Sequence, residues 1–172
     1  MFQLTTQRLI LREPIEGDAE ALHAAVFSDP LAMRYIGDGT VRTIEQIRFS
    51  VRRKIDCLTK HGVTLWTAVL RETGEIVGDC GVIPIAWQGP EFELAYRFGQ
   101  TAWGKGLATE AGRAALAHAW EVTDLPKIIG VTDLRNEASQ RVLTKLGFED
   151  LGTTTDYYGG EELRFFRIAR PQ

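Results

Sequence analysis

The hydrophobic positions of this chain recur with two different periods, which predicts strands and helices in alternation. Short runs rich in β-branched and aromatic residues indicate strands at 8–12, 65–70, 76–85, 91–98, 127–132, 149–155 and 163–169. Stretches with apolar residues three or four positions apart indicate helices after Asp18, after Thr43, over 105–121 and after Asn136. The order β-α-α-β-β-β-α-β-α-β-β predicts an α/β (α+β) fold, a mixed sheet with helices on its faces.

The predicted helices have polar capping residues and apolar faces. Asp18, Thr43 and Asn136 are the predicted N-caps, because their side-chain oxygens can accept from the free N–H groups of a first turn. Gly147 is predicted to end the last helix. The predicted apolar faces are Ala21, Leu22, Ala25 and Val26; Ile44, Ile47, Val51, Ile55 and Leu58; Leu107, Ala111, Ala115 and Ala119; and Ala138, Val142 and Leu146.

The run 91–98 alternates strictly and so predicts a strand with two different faces. Upstream of this run, residues 72–75 are predicted to form the hairpin turn that joins the strands at 65–70 and 76–85. Within 91–98, alternate residues point to opposite sides of a sheet. One predicted face carries Phe92, Leu94, Tyr96 and Phe98, and the other carries Glu91, Glu93, Ala95 and Arg97.

Length and composition indicate one ordinary globular domain over residues 1–172. The chain is 44% hydrophobic and 25% charged, with a formal net charge of -3. This balance argues against a nucleic-acid partner, which requires a basic domain or stripe. The one basic run, residues 52–54, is interpreted as the solvated face of a helix.

Cysteine usage and hydropathy favour a cytoplasmic protein without a metal site. Cys57 and Cys80 belong to no paired motif, so we expect neither a disulfide framework nor zinc. The apolar stretch at the N-terminus ends in charge too soon for a signal peptide. No apolar run reaches the roughly 20 residues of a membrane span, so no membrane partner is expected.

The segment 91–111 carries the strongest chemical signal, because a strand leads through Gly104, Lys105 and Gly106 into a helix. Glycines allow a ligand to approach the backbone, and the unpaired N–H groups of residues 104–109 carry the positive end of the helix dipole. Lys105 adds a mobile charge, so phosphate or diphosphate is the expected guest. A P-loop would require Ser or Thr where this chain has Gly106, and a dinucleotide-binding fingerprint would require a third glycine where it has Thr109. A turn that binds no ligand is a further alternative.

The segment WGKGLATEA at 103–111 resembles the pyrophosphate motif of the GNAT superfamily of N-acetyltransferases. That pattern runs Gln or Arg, two residues, Gly, one residue, then Gly or Ala; here Trp103 replaces the first position, followed by Gly106 and Ala108. A Trp at this position is common in the RimJ/RimL-like branch, which acetylates ribosomal-protein N-termini, and the segment resembles that branch. Further blocks resemble that branch in order: TTQRLILR at 5–12, SDPLAMRYIG at 28–37, TGEIVGDCGV at 73–82 and NEASQRVLTKLGF at 136–148.

The resemblance implies a fold and a cosubstrate. It implies a sheet of about six to seven strands with about four helices, splayed between the fourth and fifth strands, at 91–98 and 127–132. Acetyl-CoA is expected in that splay, where its pantetheine arm pairs like an extra strand. The residues implied to bind it are Tyr96, Arg97 and Phe98 through their backbone, Trp103, Gly104, Lys105, Gly106, Leu107, Ala108 and Thr109 at the diphosphate, and Asn136 and Ser139 on the next helix.

The resemblance also implies direct attack of an amine on the thioester. A base or a chain of water molecules must remove the amine proton. Glu93 is the expected base, and a strand carboxylate exposed to solvent is the competing interpretation of this residue. The superfamily often places a tyrosine proton donor where this chain has Leu143. Ser139 is the expected donor instead, and a simple capping role is its alternative. Glu110 is explained by the helix dipole, and the turn with Tyr157 and Tyr158 is expected either to border the acceptor site or to be an ordinary hairpin.

The expected partners are acetyl-CoA and an acceptor amine, which is either a protein N-terminus or a small molecule. The resemblance also allows a homodimer, because members of this superfamily often form one. The sequence leaves two other functions open. One is a module that binds acyl-CoA without turnover, and the other is a nucleotide-dependent enzyme.

Overall fold

The computed structural model describes all residues from 1 to 172 and contains one eight-stranded sheet. The strand order across the sheet is β1-β2-β3-β4-β5-β6-β8-β7. The strands are β1 (Gln3–Thr5), β2 (Leu9–Arg12), β3 (Leu65–Leu70), β4 (Ile76–Pro84), β5 (Phe92–Phe98), β6 (Lys127–Asp133), β7 (Glu149–Thr154) and β8 (Leu163–Ala169). The helices are α1 (Ala19–Leu22), α2 (Pro30–Met33), α3 (Ile44–His61), α4 (Leu107–Val122) and α5 (Glu137–Lys145).

The sheet is mixed, and its two halves are joined by very few backbone contacts. Strands β1 to β5 form an antiparallel meander, while β6, β8 and β7 form a second antiparallel group. The halves join through β5 and β6, which are parallel and pair only at Glu93 and Ile129. The strands therefore part beyond this pair, which confirms the predicted splay between the strands at 91–98 and 127–132.

Apolar cores form on both faces of the sheet. The larger core packs α4 and α5 against the sheet and contains the predicted α4 face Leu107, Ala111, Ala115 and Ala119. The second core packs α1, α2 and α3 together, with Leu22, Val26, Ile47 and Val51 among its buried residues. Strand β5 lies between the two helix layers, and all of its residues are buried or partly buried.

Two of the predicted caps are present with full geometry. Thr43 caps α3 in a reciprocal capping box with Gln46. Asn136 accepts a hydrogen bond from the Ser139 N–H at the start of α5. At the other end of α5, Gly147 is left-handed, and the Gly147 and Phe148 N–H groups donate to the carbonyls of Thr144 and Leu143.

The sheet and the helix set are larger than the sequence indicates. There are eight strands rather than six to seven, because β1 (Gln3–Thr5) pairs with β2 at the sheet edge. That strand has only three residues, too few for a periodic signal. There are five helices rather than about four, because α2 is a separate four-residue turn capped by Asp29.

The predicted cap at Asp18 is wrong. Its carboxylate is buried and accepts hydrogen bonds from the Arg12 guanidinium, the Thr67 hydroxyl and the Ile15 N–H. It therefore pairs with the partly buried Arg12 guanidinium instead of capping α1. Two residues of the predicted apolar faces, Ala21 and Ala138, are exposed, because the buried stripes run through their neighbours.

The interpretation of residues 52–54 as a solvated face fails for Lys54. Its side chain is fully buried and forms an ion pair with Asp79 on β4, also fully buried. A buried charge is tolerated only when it is paired in this way. No helix in the structure is long and apolar enough to cross a membrane.

Candidate active site

The turn between β5 and α4 presents a row of free N–H groups. Gly104 and Gly106 both have left-handed backbones, with φ of +69° and +75°. The N–H groups of residues 104–109 have no acceptor within the chain, since the first N–H of α4 that is bonded belongs to Glu110. A Cβ at Gly104 would meet no atom within 4 Å, so the loop is open on its outer side. The arrangement suits an anion with several oxygens.

Trp103 fixes the start of this loop. Its indole Nε1–H donates to the Phe98 carbonyl at 2.8 Å, which ties the loop back to the last residue of β5. Sequence reasoning identified Trp103 as a departure from the motif but did not find this contact. The substitution therefore has a physical role, because the indole holds the loop against the strand.

Arg8 and Glu110 support the loop from behind. The Glu110 carboxylate accepts from the Thr6 hydroxyl at 2.6 Å and from the Arg8 N–H at 2.7 Å, and it pairs with the Arg8 guanidinium. The guanidinium also donates to the Lys105 carbonyl at 2.7 Å. Burial by itself raises the pKa of Glu110, but these hydrogen bonds bring that pKa below its ordinary value. Glu110 thus anchors the N-terminal segment to the loop, which goes beyond a favourable dipole interaction.

The edge of β5 facing β6 carries main-chain groups free for a ligand. Hydrogen bonds from Gly99 to Val77 and from Ile85 to Glu91 bracket the antiparallel ladder with β4. In that ladder alternate residues bond to the same neighbour, so the odd-numbered residues of β5 face β4. The main-chain groups of Tyr96 and Phe98 therefore face β6, beyond the last paired position at Glu93.

The predicted backbone contact of Arg97 does not fit this register, because its N–H and carbonyl are directed at β4. Its side chain has a structural partner instead. The Arg97 guanidinium donates to both oxygens of Asp79 at 2.8 and 2.6 Å and lies over the Phe27 ring at 4.7 Å. With Lys54 it surrounds Asp79, and this buried group lies on the same face of β5 as Glu93.

Ser139 and Asn136 lie at the start of α5, opposite the free edge of β5. Ser139 Oγ is 2.8 Å from the Tyr96 hydroxyl, which also donates to the Ser139 carbonyl at 2.9 Å. Asn136 uses its Oδ1 to cap the helix and keeps its amide N–H groups free of partners within the chain. Sequence reasoning placed Ser139 here but missed the Tyr96 hydroxyl, because that contact links residues 43 apart.

Glu93 is buried rather than exposed, so the interpretation of an exposed strand carboxylate is wrong. Only 4% of the residue is accessible. Its Oε1 accepts a hydrogen bond from the Tyr158 hydroxyl. Burial raises the pKa of Glu93 to about 7, and the Tyr158 hydrogen bond and the Arg97 charge lower it only in part. A carboxyl group poised near neutrality suits proton transfer.

The turn between β7 and β8 closes over this region. Tyr157 donates to Glu91, which also pairs with Lys127 at 2.9 Å, while the adjacent Tyr158 reaches Glu93. Tyr158 has a left-handed backbone with φ of +50°, an uncommon conformation for a residue with a side chain. These contacts join the turn to Glu91 and Glu93 of the β5 segment. No group of three or more His, Cys, Asp and Glu side chains is arranged to hold a metal ion.

Comparison with known proteins identifies the family. The acetyltransferase (GNAT) domain matches residues 8–149, and the chain belongs to this family of acyltransferases. It is 32% identical to YkkB of Bacillus subtilis (strain 168) over 84% of each chain. It is 30% identical to the N-acetyltransferase YoaA of the same organism, over 90% of this chain and 86% of YoaA.

Solved structures share the fold at lower sequence identity. A GNAT acetyltransferase from Bacillus anthracis superposes with a TM-score of 0.82 at 24% identity, over 99% of this chain and 100% of the other. RimL, the ribosomal L7/L12 alpha-N-protein acetyltransferase in complex with coenzyme A, gives 0.79 at 17% identity over 98% of each chain. These likenesses extend over almost the whole chain and show the fold.

Proposed function

We propose that the chain is a single-domain acetyltransferase, residues 1–172, that moves an acetyl group from acetyl-CoA to a primary amine. The observation that carries this is the placement of the free N–H groups at 104–109 directly after the unpaired edge of β5. A diphosphate-bearing carrier with an extended arm needs both features in this order. The family match supports acetyl transfer and leaves the donor's binding residues and the acceptor to this proposal.

The groups along the free edge of β5 and in the 104–109 loop suit the chemical groups of CoA. Free N–H groups of residues 104–109, together with the exposed Lys105, suit the diphosphate. The Tyr96 and Phe98 main chain suits the amides of the pantetheine arm, and the Asn136 amide lies across from them. Acetyl-CoA supplies an activated thioester carbonyl; the chain supplies orientation and proton transfer.

The reaction requires a donor that stabilises the thioester oxygen and a base that accepts the amine proton. A main-chain N–H of β5 and Glu93 are assigned to these two tasks. The parallel pair at Glu93 and Ile129 uses the neighbouring Leu94 N–H, so the N–H of Tyr96 is the next donor on this edge and is free. We assign it to the thioester oxygen, where negative charge develops. Glu93 accepts the proton of the attacking amine, because an amine must be neutral to attack. Its raised pKa leaves a substantial ionised fraction at neutral pH.

The acceptor is proposed to be the amine at the end of an extended group, either a peptide N-terminus or a small molecule. Glu93 is buried beneath the Tyr158 turn, which favours a narrow terminal group over an amine on a broad surface. The sequence blocks shared with the RimJ/RimL-like branch favour peptide N-termini. A cytoplasmic location and a homodimer stay predictions.

Two experiments test this function in sequence. Calorimetric titration with CoA should show binding at a single site, and ATP with magnesium should show none. Thiol release is then followed from acetyl-CoA with peptides of varied N-terminal residue, matched N-blocked peptides, polyamines and aminoglycosides. Absence of heat with CoA rejects the proposal. Binding without release across the whole panel would favour a module that holds acyl-CoA without turnover.

A further inference from the structure

The hydroxyl group of Tyr96 is bonded to a single residue, Ser139, across the parted strands. It lies 2.8 Å from Ser139 Oγ and 2.9 Å from the Ser139 carbonyl oxygen. Tyr96 belongs to β5 and Ser139 to the first turn of α5. The Tyr96 hydroxyl keeps its proton at neutral pH as an ordinary tyrosine does, and burial raises its pKa further, so it can act as a donor.

A tyrosine hydroxyl carries one proton, which limits this pair to two arrangements. In the first, Tyr96 donates to the Ser139 carbonyl and the Ser139 hydroxyl donates back to Tyr96. In the second, Tyr96 donates to Ser139 Oγ and the Ser139 proton is free for another acceptor. The Ser139 carbonyl keeps a partner in the second arrangement, because the Leu143 N–H lies one helical turn further on.

Leu143 cannot share this task because it has no hydroxyl group, and its side chain is turned into the core. It is fully buried, and a Cβ on Gly130 would lie 2.8 Å from one of its methyl groups. The close contact with Gly130 on β6 fixes its direction. Ser139 and Tyr96 are therefore the hydroxyl groups that α5 and β5 bring together beside the cleft.

We propose that Tyr96 is a positioning residue that directs the Ser139 hydroxyl at the thioester sulfur, an inference that rests on the proposed function. As the amine nitrogen bonds to the carbonyl carbon, the C–S bond breaks and its electron pair moves onto sulfur. Ser139 Oγ–H donates a hydrogen bond to that sulfur while Tyr96 donates to Ser139 Oγ. The amine proton goes to Glu93, so no proton needs to leave the Tyr96–Ser139 pair.

The test is the thiol pKa of CoA bound to the enzyme, which requires no acceptor. Calorimetry first establishes saturation, and the ultraviolet absorbance of the thiolate is then followed against pH. We expect the bound thiol to titrate at lower pH in the wild type than in free CoA. In Tyr96→Phe it should move up by about half to one pH unit, because the hydrogen bond to the thiolate is weakened. The Kd for CoA should change less than about threefold.

Two further variants separate positioning from a purely structural role. Ser139→Ala should shift the thiol pKa at least as far, and Tyr96→Phe should add nothing in that background, because it acts through Ser139. Thr144→Ala removes a hydroxyl that donates to a carbonyl of the same helix and should cause no shift. An unchanged thiol pKa in Tyr96→Phe, or additive shifts in the double variant, overturns the inference while leaving acetyl transfer intact. If wild-type protein fails to bind CoA, the proposed function itself falls.

Discussion

Tyr158 donates a hydrogen bond from its hydroxyl to the buried carboxylate of Glu93, 65 positions away in the sequence. The contact joins the turn between β7 and β8 to the middle of β5. Each group shifts the pKa of the other. Burial is the largest cause of the raised pKa of Tyr158, and the charge of Glu93 raises it further, while the Tyr158 hydroxyl lowers the pKa of Glu93. The hydrogen bond from this turn therefore offsets part of the rise in the Glu93 pKa that burial causes.

Tyr158→Phe should move the activity profile to higher pH. Glu93 must be ionised to act as a base, so activity rises with pH through its pKa of about 7. Without the hydroxyl the charged form loses a hydrogen bond, and the rising limb should shift up by about half to one pH unit. The check is kcat/KM against pH. Glu93→Gln should lose this limb together with about a hundredfold or more in rate, whereas Glu72→Gln, in the exposed β3–β4 turn, should keep both.

Glu93→Gln should make the protein more stable at alkaline pH. The folded pKa of about 7 exceeds the ordinary value of 4.5, so the folded state holds the proton more tightly than the unfolded state. Stability is therefore lost as pH rises from about 4.5 to 7, when the buried carboxyl becomes charged. Urea unfolding should show the variant about 1–3 kcal/mol more stable at pH 8 and little different at pH 4. Equal stability at pH 8 would contradict the buried, raised-pKa state of Glu93.

Replacement of Gly106 by alanine should weaken CoA binding more than it weakens the fold. Gly106 has φ of +75°, so a side chain there costs about 1–2 kcal/mol in backbone strain and displaces the free N–H groups. Gly74 in the β3–β4 turn has the same φ and open surroundings, which makes Gly74→Ala a matched control. We expect similar losses of Tm in both variants. Only Gly106→Ala should raise the Kd for CoA, by roughly tenfold or more, and equal Kd values would argue against the loop as the diphosphate site.

The sequence predicts the parts of the site that are local in the chain. Residues 103–109 and the cap at Asn136 are defined by neighbours within one turn, so glycine positions and helix periodicity are enough to find them. At these positions the local conformation and the proposed function depend on the same few neighbouring residues. The splay of the sheet is implied by the family resemblance, and no periodicity of the strands alone predicts it.

Contacts between distant residues could not be predicted in the same way. Glu93 is buried and contacts the turn at Tyr158, and Lys54 is buried and pairs with Asp79, although both residues resemble exposed ones in their local pattern. Asp18 resembles a helix cap for the same reason, while its real partner Arg12 belongs to β2. A charged residue on an apolar face is informative only when its partner is known, and that partner comes from the topology.

Arg8→Gln should weaken CoA binding through the charge of Glu110. The carboxylate lies in the first turn of α4 beside the N–H groups assigned to the diphosphate, and Arg8 neutralises it. Without Arg8, the carboxylate repels the anion, and the Kd for CoA should rise about fivefold to tenfold at low salt and less at high salt. Adding Glu110→Gln should recover at least half of the lost affinity, in free-energy terms. Arg71→Gln, which loses hydrogen bonds to the carbonyls of the same N-terminal segment, should leave the Kd unchanged.

Asp79→Asn should be among the most destabilising single changes on this face of the sheet. Asp79 is fully buried between the Lys54 ammonium and the Arg97 guanidinium, and it neutralises both. Burial by itself raises the pKa of Asp79, but the two cations hold it below its ordinary value. Its replacement leaves two cations facing each other without a counter-charge, which should cost about 3–5 kcal/mol in urea unfolding. Lys54→Met leaves the Asp79–Arg97 pair intact and should cost far less. The double variant should regain much of the loss because it no longer buries an unpaired ammonium, so a double variant no more stable than Asp79→Asn would show that packing around Asp79 matters more than charge.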